Sequence, residues 1–258
     1  MLGAFNFYKD MYDVSELKQM VFIDIETTTG KKTYDDVIDE NPALDQYWEV
    51  KCKQLKASEP IELGDLDKNQ MYPKMAGLYP EWGKIVCISI GQIKFDEDGE
   101  PVDFNATSYY DDNEQSLLEK FNDVARRIMS KYPNMQWVGH NIKGFDLPYI
   151  IKRSLVNGLA VPKAFHLHRQ KPWENCLLDT QDVWKFGGWN SAKLGLISEL
   201  LNIPSPKQDL EGSMVSQVYW EGNNLERIKD YCELDIKATA NIMLKISGMS
   251  IVEDSAPF

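Results

Sequence analysis

Hydrophobic and polar positions along the chain follow two rhythms, one of period two and one of period 3.6. Residues 20–26 (MVFIDIE) alternate under an apolar coat and predict a strand. KIVCISIGQIKF (84–95) is a second, β-branched strand, DEDGE (96–100) a turn, and VDFNATSYY (102–110) its hairpin partner. NEQSLLEKFNDVARRIMSKY (113–132) carries apolar residues at helical spacing. MQWVGHN (135–141) predicts another strand, and LPYIIKRSLVNGL (147–159) a helix with Pro148 in its first turn. CLLDTQDVW (176–184) reads as a short strand, 192–202 as a helix, and a final helix runs from Leu225 to Ile246. Between the first two strands the rhythm breaks. Residues 30–82 hold acidic clusters (DDVIDE), a basic stretch (KCKQLK) and turn-formers (MYPKMAGLYPEWG), predicting some helix around 41–57 and loops beyond. Strands first, then strands alternating with helices, predict an α/β sheet with a β-hairpin at one side.

Composition fits one large domain over 1–258 with an insertion at about 28–82. With 43% hydrophobic and 11% aromatic residues a sizeable core is expected, and no apolar run approaches a membrane span. The start MLGAFNFYKDMYD lacks the features of a signal peptide. Cys52, Cys87, Cys176 and Cys232 are scattered, never form CxxC, and read as reduced core residues of a cytoplasmic protein rather than as a zinc site. The 28 Lys plus Arg against 40 Asp plus Glu give a net charge of −12, which repels nucleic acid at long range. That disfavours a passive DNA-coating protein more than an enzyme carrying its own divalent cations.

Candidate chemistry begins with the two acids of VFIDIETTTG (21–30). Asp24 and Glu26 point to one side of their strand while Ile23 and Ile25 point to the other. Alone, such a pair reads first as two edge acids in water. GHNIKGFDLPYI (139–150) adds Asp146 at a strand–loop–helix junction, where it serves equally well as a helix cap. DYCELDIKATANIML (230–244) puts Tyr231 and Asp235 on one helix face at i and i+4, beside Asp230 and Glu233 on what could equally be a solvated face.

In this order the chain resembles the DEDD 3′–5′ exonucleases of the ribonuclease H-like fold, in the subclass with tyrosine in the third motif. It is most similar to stand-alone relatives of the exonuclease domain of family B DNA polymerases. YPEWGKIVCISIG and NIPSPKQDLEGSMV also look like that group, and the resemblance spans about residues 20–247. It implies a mixed central β-sheet with flanking helices. It also implies Asp24, Glu26, Asp146 and Asp235 as metal ligands and Tyr231 on the attacking water. Asn141, by hydrogen bonding, and Phe145, by packing or stacking, would touch the 3′ end, with Thr27 against the terminal nucleotide. His140 stands where the polymerase motif often has Tyr and is given no chemical role.

Physical chemistry explains the residue types. Two unit charges 4 Å apart interact by about 4 kcal/mol at an effective dielectric of 20, so converging carboxylates hold protons or bind cations. Hard oxygen ligands select Mg²⁺ or Mn²⁺, and two such ions match four carboxylates and suit in-line attack on a phosphodiester. A phenol titrating near ~10 is a poor general base, which leaves Tyr231 to orient the water.

Single-stranded substrate needs positive charge and stacking surfaces. Lys51, Lys53, Lys56, Lys163, Arg169 and Lys171 are candidates for grip. His166 and His168 are a weak candidate metal pair, and Trp184 and Trp189 read as core or loop packing. The expected activity is release of nucleoside 5′-monophosphates from a free 3′ end of single-stranded or frayed DNA, in replication proofreading or repair. Weak, salt-sensitive capture and a replication or repair protein as partner are also expected. Alternatives are an exoribonuclease of the same fold, or a catalytically silent adaptor that binds a replication protein through the insertion.

Overall fold

The computed structural model describes residues 11–166, 171, 176–204 and 210–253. In chain order its elements begin with α1 (Val14–Leu17), β1 (Met20–Thr29), α2 (Tyr34–Glu40), α3 (Leu44–Ser58), α4 (Pro60–Leu63) and α5 (Lys68–Met75). The hairpin β2 (Gly83–Phe95) and β3 (Pro101–Tyr110) follows, then α6 (Glu114–Lys131), β4 (Gln136–Gly139) and α7 (Asp146–Val156). The remainder is β5 (Leu177–Asp179), α8 (Thr180–Lys185), α9 (Leu194–Leu200), α10 (Val215–Trp220) and α11 (Leu225–Ile246). Among the described residues no helix is long and apolar enough to cross a membrane.

The strands form one mixed sheet in the order β3-β2-β1-β4-β5. β1 and β2 pair antiparallel, as do β2 and β3, while β1, β4 and β5 run parallel. A hairpin laid antiparallel on a parallel trio, with helices on both faces, is the ribonuclease H-like arrangement that the family resemblance implies. Alternation along β1 explains the layering. Val21, Ile23 and Ile25 pack with Leu117, Leu118 and Phe121 of α6 and with Leu147 and Ile150 of α7. Met20 and Phe22 face the other way, onto Ile236, Ala240, Met243 and Leu244 of α11. The next two residues on that side are Asp24 and Glu26. Both acids therefore point toward α11, where the aliphatic row of β1 ends.

Two predictions change. Residues 30–82 are richly helical rather than looped beyond 57, and the cause is local. Thr33 with Asp36 and Asp67 with Gln70 form reciprocal capping boxes that start α2 and α5. Tyr34, Trp48, Tyr72 and Trp82 then build a separate aromatic core, with ring centroids 5.0 Å apart for Trp48 and Trp82. The predicted strand over 176–184 stops at Asp179, whose side chain accepts from Gln181 N and starts α8. Trp184 packs beside Ile197 and Ile242, but Trp189 is 90% exposed and not core. His168, Arg169 and residues 205–209 of the NIPSPKQDLEGSMV stretch lie outside the described residues.

Candidate active site

β1 delivers Asp24 and Glu26 to the sheet face under α11, with Glu26 only 7% exposed. Across the strand pair they stand opposite Ser89 and Cys87 of β2, and the ladder shifts register just after Glu26. Such a bulge re-aims the side chains that follow. Asp146 opens α7 and is 97% buried, since 3% of it is exposed. Its Oδ1 accepts the Ile25 N–H at 3.2 Å, which bolts the start of α7 to the middle of the D-x-E strand. From the opposite side α11 brings Tyr231 and Asp235, the phenol donating its hydroxyl to the carboxylate.

These acids feel one another. Burial, then the charges of Asp146 and Asp235, push the Asp24 carboxyl well above the usual range. Glu26 is raised by burial and by Asp24 and Asp235. Burial is also the main cause for Asp146, pushed up to about 7 with Asp179 and Asp235 contributing. Tyr231 is raised by burial and by Asp235, so its phenol stays protonated throughout the working range. The four sequence-predicted acids therefore occupy one electrostatic neighbourhood. No hydrogen-bond donor reaches the Glu26 side chain among the described residues, and the residue is only 7% exposed. A largely buried acid without a protein donor is stabilised by a bound cation, and the oxygen-rich donor set fits Mg²⁺ or Mn²⁺.

The remaining predicted residues surround this centre unevenly. Asn141 has a left-handed backbone (φ 68°) in the turn between β4 and α7, and a Cβ on Gly144 would sit 2.5 Å from its Oδ1. Phe145 is half-buried and packs against Tyr149 with ring centroids 5.4 Å apart and planes tilted by 52°. The Thr27 hydroxyl donates to the Gly77 carbonyl at 2.8 Å, as does Tyr149 at 2.9 Å, so Thr27 ties β1 to residues 76–78. His140 sits between the Thr180 hydroxyl and the Ala192 carbonyl, a structural role. Of the predicted cations, Lys51 lies over the Tyr79 ring, Lys53 pairs with Glu49, and Lys56 donates to the Gly64 carbonyl.

Two features escape the sequence. Asp179 is buried and accepts N–H groups from Asn141 at 2.9 Å, Lys143 at 3.2 Å and Gln181 at 3.0 Å, so it shapes the turn that carries Asn141. Only its place as a helix cap at the end of a strand could have flagged it. A groove of about 440 Å³ lies past the end of β1, lined by Thr29, Lys32, Lys74, Ser216, Gln217 and Trp220. Lys32 and Lys74 belong to no salt bridge among the described residues. They reach this groove only because the 30–82 segment folds back on β1.

A family model for a "Predicted 3'-5' exonuclease related to the exonuclease domain of PolB" matches residues 79–255. The matched span holds Asn141, Phe145, Asp146, Tyr231 and Asp235, while Asp24, Glu26 and Thr27 precede it. The structure of the family B DNA polymerase from the hyperthermophilic archaeon Pyrobaculum calidifontis is similar to this chain at 14% identity and a TM-score of 0.49. That similarity covers 85% of this chain and 23% of the polymerase chain. No curated protein matches the sequence.

Proposed function

The chain belongs to the family of predicted 3′–5′ exonucleases related to the exonuclease domain of PolB, and we propose that it removes nucleotides one at a time from the 3′ end of single-stranded or frayed DNA. The observation that carries this reading is the convergence of Asp24 and Glu26 with Asp146 and the Tyr231–Asp235 pair at one end of the sheet. Asp24, Glu26, Asp146 and Asp235 would hold two Mg²⁺ or Mn²⁺ ions, which supply water activation and leaving-group stabilisation when bound. Tyr231 keeps its proton on the Asp235 carboxylate, and its phenol oxygen accepts a hydrogen bond from the attacking water and so orients it. Asn141, fixed by the Asp179-bound turn, and Phe145, backed by Tyr149, lie beside Asp146 and bind the terminal sugar and base. Thr27 contributes through the backbone it anchors.

Buried like charges argue against a silent adaptor, because an inactive module gains nothing from four acids that raise one another. End-labelled DNA and RNA oligonucleotides incubated with Mg²⁺, Mn²⁺ or chelator test the reading. A ladder shortening from the 3′ end, dependent on metal and stronger on DNA, is the expected result. Preference for RNA makes the chain an exoribonuclease, and an unchanged oligonucleotide in every metal defeats the proposal.

A further inference from the structure

Beside the carboxylates lies sulfur that the proposed hydrolysis does not use. Cys232, the residue after Tyr231 on α11, is fully buried, and its Sγ stands 3.6 Å from Asp24 Oδ2. One ligand atom each from Cys232, Asp24 and Glu26 falls within 4.8 Å of the other two. Cys87 stands directly across the strand pair from Glu26, with its thiol 3.6 Å from the Ser89 hydroxyl. One sulfur and two carboxylate side chains thus meet at one point. Glu26 adds a second sign of a ligand, a side chain on a residue only 7% exposed that no hydrogen-bond donor reaches among the described residues.

We propose that Cys232, Asp24 and Glu26 form a capture site for a thiophilic divalent cation, zinc, which silences the nuclease by occupying carboxylates needed for Mg²⁺ or Mn²⁺. Geometry fits the ion. Zinc–sulfur and zinc–oxygen bonds of about 2.3 and 2.1 Å at a tetrahedral angle place the two ligand atoms about 3.6 Å apart. That is the observed Cys232–Asp24 separation. A water completes the fourth position. Sulfur discriminates between cations, since magnesium and manganese take oxygen donors while zinc takes thiolate. Binding forms the zinc–sulfur bond and releases the Cys232 thiol proton to solvent. Access is through the acid cleft, where Asp24 keeps part of its surface exposed. Zinc binding stands independently of the proposed activity; the silencing rests on it.

Cobalt(II) reads the site without any assay of turnover. Titrating the metal-free chain with Co²⁺ should produce a near-ultraviolet thiolate-to-cobalt charge-transfer band, and equimolar Zn²⁺ should erase it. Cys232→Ser should lose the band while keeping Mn²⁺-dependent activity, and should need about tenfold or more additional Zn²⁺ for inhibition. Absence of the band in the folded wild-type chain overturns the site, whether or not the variant folds. Equal zinc inhibition of wild type and Cys232→Ser overturns the silencing. A band on a chain that degrades no oligonucleotide leaves the zinc site standing and defeats the nuclease reading instead.

Discussion

Asp24 and Glu26 sit where β1 would otherwise continue the apolar row of Met20 and Phe22, so in the metal-free chain they weaken the fold they belong to. Replacing Asp24 with Ala should abolish hydrolysis yet raise stability in chelator by about 1–2 kcal/mol, measured by urea denaturation. A destabilised Asp24→Ala variant would contradict that account. The same acids set a pH dependence. Asp146 is raised in the folded state to about 7, against about 3.9 for an unfolded aspartate. Its protonated form is therefore favoured by folding, and the metal-free chain is most stable below about pH 4 with respect to this group. That stability is lost as pH rises through 7. In chelator, the urea midpoint should fall between pH 4.5 and about 7.5, and Mn²⁺ should restore it most at the upper end. A flat profile that Asp146→Asn leaves unchanged would show that the acids do not interact as described. For Tyr231, removal of a protonated donor to Asp235 should lower kcat roughly 10- to 100-fold in Tyr231→Phe with little change in KM. Full activity in single-turnover assays would remove the phenol from the reaction.

Elements carry a different lesson. The strand alternation that puts Ile23 and Ile25 against α6 and α7, and Asp24 and Glu26 under α11, is readable from ten letters. So is α6, an amphipathic helix capped by Asn113. Period-two and period-3.6 signals are local, and local signals survive into the fold. What was illegible depends on partners distant in the chain. Glu233, for which a solvated face is one of two readings of the sequence, accepts the Ser108 hydroxyl at 2.6 Å and helps pin α11 to the hairpin. Glu114, at the start of α6, is buried under a two-pronged contact from Arg153 and also accepts Ile85 N and Asn157 Nδ2. Asp179 looked like one more strand residue and instead collects three backbone donors. Asp179→Asn should cost about 2 kcal/mol and, by loosening the Asn141 turn, raise KM for an oligonucleotide more than it lowers kcat. Unaltered KM with lowered stability would reduce Asp179 to a fold determinant only.

At the scale of the molecule, a net charge of −12 faces a polyanionic substrate, so attraction must be concentrated. The groove with Lys32, Lys74 and the half-buried Trp220 begins at Thr29, three residues and therefore about 10 Å beyond Glu26. That is the reach of the next nucleotides of a strand whose 3′ end, in the proposed function, would lie among the acids. Lys32→Glu with Lys74→Glu should raise KM and lessen the salt dependence of capture by about one unit of slope per lysine, leaving kcat near wild type. Lysine variants that bind like the parent at every salt concentration would place the strand elsewhere. The Gly77 carbonyl, which takes hydroxyls from both Thr27 and Tyr149, makes the helical segment before β2 a brace across the reactive end of the sheet. Trimming that segment would leave two inward hydroxyls idle and the floor of the cleft unsupported, so a shortened chain would be a slacker catalyst rather than a minimal one.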